Sequence, residues 1–266
     1  MPLRRSLLFF AGALVFTALC QAPAILDLRA GLQPGGLTLL LLAIGSCGPT
    51  IVAAALSALE GGRAGVRDLF RRRGHMTGAL ALIALFHPLV AHRLAGLALA
   101  ALGHPLPPHL VYLPLTAQQL AIAVLAPLGE EYGWRAYALP RLQAVMRPLP
   151  AALVVGVFWA LWHLPTFFAP GAEPADLFRT LPIMLAGSVV YTWLYDASGG
   201  NMPLLLLAHL GAHLDNVFRA VALGDGRMPL YGTSAVLVLF AAGLVATGRL
   251  REPARLDAGL GVSFPA

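Results

Sequence analysis

Long apolar stretches recur from one end of this chain to the other, and they constrain its fold more than any other feature. A membrane-spanning helix needs about 20 mostly apolar residues. Eight segments meet or approach that description: 7–26, 36–59, 77–102, 114–130, 151–168, 180–195, 202–222 and 231–248. They leave no stretch long enough for a separate soluble core. The composition agrees, because 58% of the 266 residues are hydrophobic and 11% are charged, whereas a soluble domain carries about a quarter charged residues. The expected fold class is an all-α membrane protein, a bundle of about eight transmembrane helices. Residues 1–266 are expected to form one polytopic membrane domain.

All 18 basic residues are arginine, and the net charge is +6. In a soluble protein that balance would suggest a nucleic-acid partner. Here the arginines stand at the ends of the apolar runs, so membrane topology accounts for them and no nucleic-acid partner is expected. Loops rich in arginine stay cytoplasmic. Alternating spans put Arg4, Arg5, the loop 63–73, Arg135, Arg141, Arg147 and the arginines after the last span on one side. A multi-pass protein of the cell membrane with both termini cytoplasmic is the expectation. The apolar stretch after Arg4-Arg5 runs to about Leu26, longer than the h-region of a signal peptide, and is read as an uncleaved first span. His87-Pro88 and His92-Arg93 predict a kink in the third. Cys20 and Cys47 lie inside apolar runs with no metal or disulfide spacing, so they read as small buried hydrophobes.

Ionisable groups inside spanning helices are costly, and they point to function by default. Three clusters do so here. Glu130-Glu131-Tyr132-Gly133-Trp134-Arg135 closes the fourth span. Neighbouring side chains on a helix point about 100° apart, so the two carboxylates face different surroundings. Glu131 and Arg135 share a face at the spacing that favours an ion pair, which leaves Glu130 freer to act as a base. His163 lies deep in the fifth span, with Trp159 one turn earlier on the same face as a wall of the site. His209 and His213 stand one above the other on the seventh, and Asn216 continues the stripe roughly. An i, i+4 histidine pair is a zinc-helix pattern, although no glutamate follows the first histidine as in HExxH. Taken singly, each cluster also fits a bland reading: a helix-end ion pair, a packed histidine, a polar stripe joining helices.

At these residues the chain resembles the CPBP family of intramembrane proteases, which includes CAAX prenyl endopeptidases and the Abi bacteriocin-processing and self-immunity proteins. Glu130, Glu131 and Arg135 match its EExxxR motif, and Trp159 with His163 fits FxxxH with Trp for Phe. His209 matches the histidine of HxxxN, while His213 stands at the asparagine position. The motifs place the family core within 114–222.

The resemblance implies an intramembrane endopeptidase acting on membrane-associated peptides, CAAX-type prenylated ones among them. In its glutamate-protease form, Glu130 and His163 activate water, His209 with the residue at 213 stabilises the oxyanion, and Glu131 with Arg135 is the structural pair. In its metalloprotease form a zinc ion, the one candidate cofactor, sits among Glu130, His163 and His209. The expected partners are the lipid bilayer and a peptide or protein substrate. A membrane scaffold or self-immunity protein without activity is the second reading, supported by His213. A proton-coupled transporter is the third, and the lack of a visible inverted repeat counts against it.

Overall fold

The structure, a computed structural model, describes residues 2–71, 73–103, 117–168, 170, 174–222 and 227–250. Among these residues there are ten α-helices and no strand. They are α1 (Pro2–Arg29), α2 (Gly36–Ser46), α3 (Gly48–Leu69), α4 (Gly78–Ala101), α5 (Ala117–Glu131), α6 (Leu139–Gln143), α7 (Pro148–Trp162), α8 (Pro174–Ala197), α9 (Met202–Ala222) and α10 (Arg227–Ala246). The all-α membrane architecture is as expected.

Polarity is arranged inside out. Leu19, Leu37, Leu120, Leu125 and Leu239 are exposed, whereas Glu130, Glu131, Arg135, Asn201 and His209 are buried. An apolar outer surface of this extent is a liability in water and the natural surface in lipid. Within the described residues α1, α4 (over Gly78–Ala98) and the stretch Pro148–Phe168 are each long and apolar enough to cross a membrane. The pair α2 and α3 makes a fourth if it counts as one bent span. Shorter apolar helices cover Met202–Leu214 and Val236–Ala246.

The segment 36–59, expected as one span, is two helices that meet at Cys47 with a bend of 63°. Gly48-Pro49 supplies the physical reason. Proline brings no N–H to continue α2 but is pre-set for the first turn of α3. Thr17 of α1 braces the joint, accepting from Trp162 Nε1 at 2.7 Å and donating to the Gly45 carbonyl at 2.8 Å. In α4 the helix continues through His87-Pro88 without interruption. Pro88 cannot donate to the Ala84 carbonyl, and His87 Nδ1 takes over that acceptor at 2.9 Å.

The helices pack in a few close pairs: α4 against α9, α7 against α8, and α10 against both α4 and α8. Small residues allow this. A Cβ at Gly211 of α9 would run into the Leu85 carbonyl of α4. Ser188 of α8 donates across the α7–α8 contact to the Ala152 carbonyl at 2.7 Å. At one end of the bundle Glu60 accepts from Tyr137 at 2.6 Å and from Arg141 at 2.8 Å, and it pairs with Arg5 at 3.5 Å. Gln143 donates to Asp196 at 3.0 Å, and the His75 N–H donates to the Ser198 carbonyl at 2.8 Å. Glu60 of α3 thus gathers Arg5 of α1 and Arg141 of α6 at one place.

A buried glutamate–histidine site

The last turn of α5 carries Glu130 and Glu131, and from Tyr132 to Ala138 the backbone widens into a π-helical segment. Such wide turns cluster at functional sites because they re-aim side chains. This one presses against the start of α3: a Cβ at Gly133 would collide with the backbone of Pro49. The turn therefore sits in the notch made by the bend at Cys47.

Arg135 still reaches back to Glu131, NH1 to Oε1 at 2.9 Å, with both side chains fully buried. The same Glu131 oxygen accepts from His209 Nδ1 at 2.7 Å. A carboxylate only accepts, so Nδ1 carries the proton and His209 Nε2 is turned the other way. There it faces Glu130, 4.0 Å from Oε1. The second Glu130 oxygen, Oε2, accepts from Trp159 Nε1 at 2.7 Å. Each carboxylate thus has its own neighbours: Glu131 is held by Arg135 and His209, Glu130 by Trp159.

His213 stacks on His209, ring centroids 4.9 Å apart and 7° from parallel. Its Nε2 is buried with no hydrogen-bond partner among the described residues. Ligand atoms of Glu130, His209 and His213 all lie within 4.8 Å of one another. The gathered trio differs from the expected metal set by holding His213 where that set held His163. Spacing explains His213, since residues four apart on α9 project together. His163 instead terminates α7. Its Nδ1 donates to the Trp159 carbonyl at 2.8 Å, and its ring packs on Trp162 at 4.9 Å. The side chain of Asn216 lies outside the described residues.

The trio is chemically suited to a divalent ion. Two imidazoles and a carboxylate are a known catalytic zinc set. The Glu131 carboxylate on His209 Nδ1 is the outer partner such ligands carry. His213 Nε2, without a hydrogen-bond partner among the described residues, is free to act as a ligand atom.

One residue at the site goes unmarked in the sequence. Tyr191 of α8 is buried, and its ring centroid lies 6.0 Å from His209 and 5.8 Å from Trp159. An aromatic inside an apolar run announces nothing by spacing. The only available signal is that 191–195 packs three aromatics beside Asp196 in a short span.

An all-α membrane bundle that buries two carboxylates against two stacked histidines defines a class: membrane proteins with an interior acid–imidazole site. Comparison narrows the class. Residues 112–214 match the type II CAAX prenyl endopeptidase Rce1-like family. The chain is 28% identical over 111 residues to CAAX prenyl protease 2 of Methanococcus maripaludis, an alignment covering 38% of this chain and 41% of that protein. Both matches are to CAAX prenyl proteases, and the chain spans less than half the length of the curated relative it matches. Every site residue named above lies inside the matched segment, Asn216 excepted.

Proposed function

We propose that this protein is an intramembrane endopeptidase that hydrolyses peptide bonds of membrane-associated substrates, prenylated CAAX-type peptides being the first class to test. One observation carries the reading: Glu130 Oε1 and His209 Nε2 face each other across 4.0 Å. That gap is too long for a direct hydrogen bond and suits a bridging water.

The chemistry follows from the partners. Trp159 occupies Glu130 Oε2, so Oε1 is the oxygen that takes a proton from the water. As that proton leaves, the water oxygen bonds to the scissile carbonyl carbon. His209, protonated and held through Nδ1 by Glu131, donates from Nε2 to the developing oxyanion. The C–N bond then breaks, and the proton on Glu130 passes to the leaving nitrogen. His163, one turn beyond Trp159 at the end of α7, is assigned to assist in placing water. Glu131 and Arg135 keep His209 in orientation. The bilayer is the protein's medium, and the arginine-rich end faces the cytoplasm.

A second reading rests on the unpartnered His213 Nε2. Glu130, His209 and His213 would hold a zinc ion, and such an ion supplies a more acidic bound water and polarises the carbonyl.

The test is direct. The purified chain in lipid nanodiscs is incubated with a farnesylated CAAX peptide, and the products are identified by mass spectrometry. Cleavage at one bond, lost in Glu130→Ala and His163→Ala variants that insert and melt normally, supports the reading. Undiminished cleavage by both variants defeats the assignment.

A further inference from the structure

Arg135 is fully buried, yet among the described residues its guanidinium makes one hydrogen bond. NH1 donates to Glu131, while Nε and NH2 have no hydrogen-bond partner among the described residues. Arginine carries five N–H donors, and an unsatisfied buried charge is expensive. Something else must receive this cation. Its Cζ lies 4.4 Å from the centroid of the Trp159 ring and 4.8 Å from that of Tyr191. The two centroids are 5.8 Å apart, so the guanidinium sits in the corner between two ring faces and is not sandwiched. Attraction to an aromatic face strengthens when water is excluded.

Trp159 has a second duty at Glu130, but Tyr191 has none in the proposed chemistry. It comes from α8, which contributes no motif residue. Its ring packs at a tilt on His209 and in a T with His87 of α4, centroids 6.0 Å away in each case. It thus links α8 to His209 and to His87 of α4.

We infer that Tyr191 is a positioning residue. Its ring face seats the Arg135 guanidinium, Arg135 fixes the Glu131 carboxylate, and Glu131 sets the His209 imidazole. The ring carries this role and the hydroxyl does not. The consequence for catalysis rests on the endopeptidase reading; the seating of Arg135 does not.

Two arms test it. In the first, Tyr191→Phe is followed by replacement with mono-, di- and trifluorinated phenylalanines, which keep the shape and drain the ring face of negative charge. On the farnesylated CAAX peptide, Tyr191→Phe is expected to stay within about two-fold of wild type. The fluorinated series should lower kcat stepwise, by about 10- to 30-fold in total, with KM nearly constant. A flat response overturns the role of the ring face. The second arm needs no substrate: thermal unfolding of Tyr191→Leu, Arg135→Met and the double variant in detergent. The Tm loss from Tyr191→Leu should shrink once Arg135 is gone, whereas additive losses refute the coupling. If the wild type cleaves no farnesylated peptide, the endopeptidase reading falls, and this arm still decides whether Tyr191 seats Arg135.

Discussion

The Trp159 indole N–H donates to Glu130 Oε2 at 2.7 Å, and this bond decides which oxygen of the carboxylate faces His209. It ties α7 to the end of α5 and holds the Glu130 carboxylate without neutralising it.

Trp159→Phe keeps an aromatic ring at this position and removes the N–H donor together with part of the indole's volume. A hydrogen bond to a charged group contributes about 1.5–3 kcal/mol, so kcat should fall by about ten-fold or more. KM should change little, because substrate is not what the indole holds. Steady-state kinetics on a cleaved peptide check this.

Glu131 and Arg135 form a buried pair, 2.9 Å apart and fully shielded. Removing one partner strands the other. Glu131→Leu or Arg135→Met alone should each destabilise by about 3–5 kcal/mol, while the double replacement should cost less than either single one. Chemical unfolding in detergent measures the three variants against wild type.

Thr17 joins three elements, accepting from Trp162 and donating to the Gly45 carbonyl beside the bend. Thr17→Val keeps the volume and leaves both groups unsatisfied. A loss of about 1–3 kcal/mol per stranded buried group is expected. Crosslinking between cysteines placed in α1 and α2 should report a looser joint.

His213 stacks on His209 at 4.9 Å with its Nε2 unpartnered. In the general-base account it is an accessory, so His213→Asn, which restores the family's residue, should keep cleavage within about ten-fold. In the zinc reading the same change removes one of three ligands and should abolish metal retention. Metal analysis of the two proteins, side by side with their rates, separates the readings.

Much of the site is legible in the amino-acid sequence, because helical spacing carries it. The four-residue steps from Glu131 to Arg135 and from His209 to His213 become an ion pair and a stack. What spacing cannot give is which helices touch. Nothing in the chain places Glu131 on His209, since that bond depends on how α5 and α9 pack. The bend at Cys47 is hidden for a related reason: a broken span has the same apolar composition as a straight one, and only Gly48-Pro49 marks the joint. Pro88 does not end α4, and His87 Nδ1 takes the Ala84 carbonyl that the missing N–H leaves free. Tyr191 is invisible, as its partner Arg135 belongs to another helix.

The central claim is that Glu130 activates water at this site, and one comparison tests it most directly. Wild type and Glu130→Gln are reconstituted in the same nanodiscs, matched for Tm, and assayed on one farnesylated peptide. Glutamine preserves the shape and the acceptor for Trp159 but cannot take a proton. The account predicts a fall in kcat of about 10²–10⁴-fold, the worth of general-base catalysis. A Glu130→Gln enzyme that turns over at the wild-type rate would contradict it.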